Sequence, residues 1–516
     1  MFKQLVSSKL LSSRVDADFY QPIYIDAELK IKKSKYRTLE ELTHFVRKGV
    51  FDMPSSLYCE EGVPFLRISD FYGQSININR SIKIPKWKHL EEPKTTLRGG
   101  DLVLSKVGTT GKVAKIPLGK EVNISQNLVG ISIIKNLIDS DYLLAAFASS
   151  YLALSIERHV TTAVQGKLTL DILRELPIPI FSKSVQSYIG EKIRHAELLS
   201  EWAKQLFTQA NDEFEESIFW DPRVVEKVKY GRISPKKLEN RLDHRFNSIE
   251  KFKAIDLLVE NDIKLEQLEN VYSITAMVGW KGLTTDHYVD DGPWLLRGVE
   301  FSDGVIDFDN LVMVERGKYL EQPQIHLKEG DVALSKDGTI GKAIVIPEIN
   351  REFAVGSTIA RLRKIDETLD PYYLEHCLNH DFLQVQIESY ATGVAQPHIT
   401  QEWIAKLLIP RVANEQEIST LIYKHHLAMN LAKALTNSSK RLVEALIEGQ
   451  ITENQLIEAQ QALETGDNTK DRAILSKLSD KGYLAEDGKL LFSDLDKLYE
   501  LLDEAKQAVD TREESA

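Results

Sequence analysis

Gly100-Asp-Leu-Val-Leu-Ser-Lys-Val-Gly-Thr-Thr-Gly-Lys112 recurs as Gly330-Asp-Val-Ala-Leu-Ser-Lys-Asp-Gly-Thr-Ile-Gly-Lys342, with nine of thirteen positions identical at a shift of 230 residues. Chance does not produce such a match, and the flanks keep nearly the same shift. Upstream, Pro64-Phe-Leu-Arg67 faces Pro293-Trp-Leu-Leu-Arg297. Downstream, Gln165-Gly-Lys-Leu-Thr169 faces Gln396-Pro-His-Ile-Thr400, and Leu176-Pro-Ile-Pro179 faces Leu407-Leu-Ile-Pro410. The repeating unit is therefore a whole domain together with the segment C-terminal to it. A period this long exceeds any solenoid repeat, so its simplest origin is duplication of a domain-helix module within one chain.

Within each copy, Leu102-Val103-Leu104 and Val332-Ala333-Leu334 are short apolar runs entering a glycine-containing loop, and Val113 to Ile116 and Ala343 to Ile346 lead out of it until Pro117 and Pro347 stop them. This pattern predicts a strand-loop-strand hairpin. Asp141 to His159 and Asp370 to Ser389 read as helices, and the Pro177-Ile-Pro179 stretch and Pro410 mark the domain exits. After the first exit, Val185, Ile189, Ile193, Ala196, Leu199, Ala203, Leu206, Ala210, Phe214 and Ile218 recur at three-or-four spacing, which is the seam of a long helix. Ile418, Leu421, His425, Ala428, Ala432, Leu435, Leu442 and Ala445 form a second, looser seam, with Ser438 or Ser439 weakening one turn. Two such helices either pack on their own domains or bury their seams against each other around an approximate two-fold axis, and duplication favours the second.

The expected class is α+β, with two mixed α/β domains separated by long helices that pair as an antiparallel coiled coil. The expected boundaries are a first domain at 1–180, a first helix at 181–222, a second domain at 223–411, a second helix at 412–450 and an acidic helical appendage at 451–516. In the appendage, Asp471 to Gly482 reads as a helix with a glycine stop, Glu486 to Lys489 as a turn and Ser493 to Val509 as another helix. It is either a partner surface or a solvated decoration.

The 516 residues, 43% of them hydrophobic, suffice for more than one core. No run approaches the roughly 18 apolar residues that span a bilayer, and Met1 to Ser13 lacks the apolar block of a signal peptide, so a cytoplasmic location and no membrane partner are expected. Cys59 and Cys377 stand far apart with no Cys-x-x-Cys or His-x-x-x-His nearby, which argues against a disulfide framework or a zinc site and for two buried small hydrophobes. The net charge of −12 runs against binding of phosphate. Residues 451–516 hold 16 acidic against 8 basic residues, however, so −8 belongs to the appendage and only −4 to the rest.

The Gly108-Thr-Thr-Gly-Lys112 loop fails as a nucleotide cradle. A Walker loop needs glycine where Lys106 stands and a hydroxyl where Val113 stands, and Lys336 and Ala343 break the pattern in the same way. No Gly-x-Gly occurs, nor the Asn/Asp-Pro-Pro-Tyr/Phe of amino methylation. Glu28-Leu-Lys30 and Glu504-Ala-Lys506 have a nuclease-like Glu-x-Lys spacing, but it is common in charged chains and neither is duplicated. There remains a Ser-Lys-x-Gly-Thr-x-Gly-Lys loop whose glycines permit close backbone approach and whose hydroxyls and lysines can donate to phosphate or base edges. Alternatively the loop is a hairpin whose Ser and Thr only cap the turn.

With the Gln-x-x-Ile-Thr run at 396–400 and the hydrophobic-Ile-Pro exit at 408–410, the loop at 330–342 resembles a target-recognition domain of the specificity subunits of type I restriction-modification systems, and the preceding copy resembles another. The resemblance covers roughly residues 10–450. Pro179-Ile180-Phe181 departs from the family's Glu-Gln exit, which Glu415-Gln416 keeps, and the tail past 450 is additional. The resemblance implies a protein with no catalytic residue, metal or cofactor of its own, which binds a bipartite, asymmetric site on double-stranded DNA. Its implied partners are two adenine methyltransferase subunits and motor-nuclease restriction subunits.

The candidate DNA-contacting residues are Lys106, Thr109, Thr110 and Lys112 in the first loop and Lys336, Thr339 and Lys342 in the second. Arg67 and Arg297 join them from the upstream flank, and Lys167 and His398 from the downstream one. Helices of about 35 residues at roughly 1.5 Å per residue would be spacers on the order of 50 Å, about one and a half DNA turns. Trp87-Lys88-His89 has no sequence counterpart near Arg316-Gly-Lys318, which fits unequal half-sites. Two other classes stay open: a protein-only scaffold, which suits the acidic balance, and a stand-alone DNA-modifying enzyme, which the missing motifs disfavour.

Overall fold

The computed structural model describes residues 16–72, 75–76, 78–106, 111–160, 168–228, 231–238, 241–277, 285–365, 367–393, 395–485 and 488–515. The chain divides into two compact units, one made of residues 1–198 with 431–516 and the other of residues 199–430.

In the first unit, Leu102–Ser105 and Val113–Lys115 form the expected hairpin, with Leu102 opposite Lys115 and Leu104 opposite Val113. Leu128–Ile133 and then Thr43–Lys48 extend it into an antiparallel sheet of four strands. All four residues of Leu102–Ser105 are buried, because the strand is covered on both faces. A second four-stranded sheet runs Lys83–Ile84, Val63–Leu66, Glu121–Ile124, Thr96–Arg98, its middle pair parallel. Leu66, Leu97, Val103, Ala114, Val122 and Leu128 fill the core shared by the two sheets. The exit stretch Pro177–Pro179 is itself a short strand, paired with Tyr36–Thr38. A two-stranded ribbon leaves ladder positions open, which is where proline is tolerated.

The second unit repeats this plan. The order Tyr272–Ala276, Ile359–Lys364, Val332–Ser335, Ala343–Val345 matches the first sheet strand for strand, and Lys264–Gln267 pairs with the exit strand Leu408–Arg411. The Trp87 stretch does have a structural counterpart: helix Lys86–Glu91 corresponds in position to helix Arg316–Leu320, although the sequences differ.

Each expected single helix is two. Ser149 (ψ 147°) and His380 (ψ 151°) are extended residues that end one helix and cap the next, Ser149 Oγ accepting from the Leu152 amide at 3.4 Å and His380 Nδ1 from Phe382 at 3.2 Å. Ser and His side chains that bond nearby amides make such breaks cheap.

The long helices span Lys183–Ser217 (35 residues) and Glu415–Glu448 (34 residues). All ten residues of the first seam are buried, as are all of the second except partly buried Leu421. Within the second unit the helices pair antiparallel. His425 Nδ1 donates to the Ala203 carbonyl at 2.9 Å and Ser217 Oγ to Asn414 Oδ1 at 2.8 Å, so higher numbers on one helix meet lower numbers on the other. Phe214, Ile218, Ile418 and Ile422 share that core. Ser438 and Ser439 do not break their helix, because each hydroxyl donates to a carbonyl three residues back at 2.7 Å.

The appendage is packed into the first unit. Helix Thr469–Leu475 is shorter than expected and gives way to a small hairpin, Leu478–Ser479 with Gly482–Tyr483. The last helix is Leu495–Ser515, and the expected turn at 486–489 falls partly outside the described residues. Asp471 lies buried where Lys192 Nζ reaches it at 2.7 Å and the Tyr188 and Tyr499 hydroxyls donate to its two oxygens. The tail is thus not a solvated decoration. Cys377 is buried, and burial pushes its thiol up, whereas Cys59 is half-buried with Sγ 3.0 Å from the Glu61 carbonyl. No described helix is long and apolar enough to cross a membrane.

Candidate nucleic-acid interface

Both hairpin loops are closed by the same three hydrogen bonds. In the first, the Ser105 amide donates to Lys112 O at 2.9 Å, Gly111 to Ser105 O at 2.8 Å, and Lys112 to Ser105 Oγ at 3.0 Å. In the second, Ser335 to Lys342 O, Gly341 to Ser335 O and Lys342 to Ser335 Oγ measure 2.8, 2.9 and 2.8 Å. These bonds separate the shared residues into two groups. Gly100 and Gly330 (φ 92° and 77°) make the turn into the hairpin, where the Asp101 and Asp331 carboxylates accept the Arg98 and Lys328 amides. Gly111 and Gly341 (φ 91° and 90°) close the loop in a conformation that side chains resist, and the serines bracket it. None of this architecture uses the side chains of Lys112, Lys342 or Thr339, all of which are exposed.

The downstream run lies against the loop in both units. Leu168 N donates to Lys106 O at 3.3 Å, and Ile399 N to Lys336 O at 3.0 Å. The structure therefore brings Lys336, Thr339, Lys342 and His398 together on one loop cluster. Thr109, Thr110 and Lys167 lie outside the described residues. The second cluster carries its own counter-charge: Asp337 pairs with the Lys336 ammonium through one carboxylate oxygen and with His398 Nδ1 through the other. Val107 occupies the place of Asp337 in the first copy, so that loop lacks this carboxylate.

Arg67 and Arg297 end equivalent strands, and each is followed three residues later by a buried acid that accepts the arginine's own amide at 2.7 Å, Asp70 in one case and Glu300 in the other. The side chains part there. Arg297 Nε donates to Glu300 Oε1 at 2.6 Å, and its Nη2 bonds the same oxygen, which holds the guanidinium in its charged form with its pKa raised. Arg67 Nη2 stands 3.9 Å from Asp70 Oδ1, too far for a hydrogen bond.

Sequence reasoning missed the supports. Asn379 binds both the amide and the carbonyl of Ala343 at 3.0 Å, and Gln384 donates to Gly341 O at 2.9 Å, so two helices grip the second hairpin. The Arg-x-x-acid pattern was detectable as a repeat in both copies. At the 231-residue shift of the downstream flank, Asn379 faces Ala148 and gave no such signal.

The duplicated hairpins present lysine and hydroxyl side chains, and the described residues contain no group of three or more metal-capable side chains. Residues 31–205 match the family model of the Type I restriction modification DNA specificity domain. Among solved structures, the chain is similar to the type I restriction-modification S subunit from M. genitalium (12% identity over 83% of this chain and 95% of that one, TM-score 0.36). It is also similar to the HsdS subunit from Thermoanaerobacter tengcongensis (15% identity over 84% and 97%, TM-score 0.24). At these values the structural likenesses add nothing to the family match. No curated protein matches the chain.

Proposed function

We propose that the chain reads a bipartite, asymmetric DNA target, one half-site for each recognition domain, and directs methyltransferase and restriction subunits to it. The proposed domains are residues 1–180 and 223–411, with spacer helices at 181–222 and 412–450 and the appendage at 451–516. The observation that carries this reading is the specificity-domain match at 31–205 together with the recurrence of the same strand order and the same loop closure in the second unit. A duplicated recognition fold implies two readings. Its divergence around the shared loop, with Asp337 where the first copy has Val107, implies that the readings differ. Helices of 35 and 34 residues are on the order of 50 Å long at about 1.5 Å per residue, a length suited to two half-sites with an unread gap.

The test is binding of duplex DNA by the chain assembled with its methyltransferase partner, across a salt series. The reading requires affinity that is sequence-selective and falls steeply with salt. A protein-only scaffold shows neither. Methylation by the chain alone with S-adenosylmethionine would instead mark it as a stand-alone enzyme.

A further inference from the structure

Beside the first hairpin lies a cavity of about 290 Å³ walled by Tyr58, Phe65, Arg67, Ser69, Gln126 and Asn127. Three observations tie it to the recognition surface. It adjoins the loop, since the Asn127 carbonyl accepts the Lys106 amide at 3.1 Å. Its walls are tied to the sheet beneath, since Ser125 N donates to Leu66 O at 2.9 Å and the Tyr58 ring lies 6.5 Å from that of Phe65. Its arginine is held in place but underused: Asp70 anchors the Arg67 backbone, yet among the described residues the guanidinium makes only the 3.9 Å contact, and the buried Nε has no hydrogen-bond partner there. The second unit has the same arginine with one more methylene on its acid, and there Glu300 takes up both Nε and Nη2.

We infer that this cavity is the base-reading site of the first unit, that Arg67 addresses the O6 and N7 edge of a guanine, and that Arg297 has no such role in the second. The inference rests on the proposed DNA-reading function and names the residue behind one of its bases. A planar guanidinium with unspent donors matches the paired acceptors of guanine in the major groove, a pattern no other base presents. Gln126 and Asn127 supply amides of the kind that pair with adenine, so the cavity has the chemistry for adjacent purines. Arg297 already spends Nε and Nη2 on the buried Glu300 carboxylate, so it could turn that edge to a base only by breaking a charge-assisted pair.

The test uses the whole chain in complex with its methyltransferase partner, with the methylated motif mapped for Arg67→Gln, Asp70→Glu and Arg297→Gln. Asp70→Glu keeps the arginine and copies the second unit's arrangement. Both first-unit variants should lose discrimination by about tenfold to a hundredfold at one guanine of one half-site, with the gap and the other half-site unchanged. Arg297→Gln should relax no position and lower thermal stability instead. The inference is overturned if folded Arg67→Gln and Asp70→Glu complexes keep the wild-type motif, or if they weaken on all sequences equally, which marks a phosphate contact. A wild-type complex that selects no sequence would overturn the underlying function, and this inference with it.

Discussion

Replacing Asp471 by alanine leaves the Lys192 ammonium, only 1% exposed, without the carboxylate 2.7 Å away that neutralises it. Removing one member of a buried pair costs about 3–5 kcal/mol, because the survivor is a charge that water cannot reach. Here the cost falls on one joint. Tyr188 and Lys192 come from the first long helix, Asp471 from Thr469–Leu475 and Tyr499 from the last helix, so the carboxylate ties three segments together. At about 2–4 °C per kcal/mol, the first unit's transition should fall on the order of 10 °C. Burial alone would raise the Asp471 carboxyl, but the Lys192 ammonium and the tyrosine hydroxyls outweigh it and hold it below its usual value. Its contribution is therefore complete above the unfolded value of about 3.9 and is lost as pH falls below that. Thermal unfolding by circular dichroism, with limited proteolysis of the tail, reads the effect. Lys192→Met combined with Asp471→Leu removes both charges and should recover most of the loss. A single variant that melts within about 1 °C of wild type, with an equally protected tail, would refute the reasoning.

The remaining predictions concern the loops and the acid range. Lys112→Ala and Lys342→Ala should each weaken DNA binding on every sequence alike and lower the slope of log affinity against log salt by about 0.9; unchanged slopes in folded variants would leave the loops as hairpin caps only. His376 is buried with both ring nitrogens unpartnered, 5.1 Å from the Phe214 ring, and burial, helped by His380 and His425, brings its pKa down to about 3. The unfolded chain takes up that proton below about pH 6.5 and the folded one does not, so the second unit is at full stability above 6.5 and loses about 1.4 kcal/mol per pH unit to this residue as pH falls towards 3. His376→Phe should flatten that slope in denaturation curves between pH 6 and 4, and an unchanged slope would show that the proton goes elsewhere.

Local pattern reached far in this chain. The hairpins were legible because apolar runs, glycines and stopping prolines act over a few residues, and the first seam because helical periodicity survives over ten positions. The splits at Ser149 and His380 were not, since one extended residue leaves the apolar pattern intact. The joint at Asp471 was invisible for a different reason: its lysine lies 279 residues away and its two tyrosines 283 and 28. Both arginines were legible as candidates, but their unequal states depend on whether an acid three residues on is Asp70 or Glu300, and on distances that no spacing rule supplies.

If one chain carries two separable DNA readings, each can be exchanged without the other. Residues 1–180 are replaced with the equivalent domain of a relative, and methylation is mapped in cells that express the complex. One half-site should change while the other half-site and the gap between them stay the same. A change in both half-sites or in the gap, or an unaltered motif, would contradict separable readings.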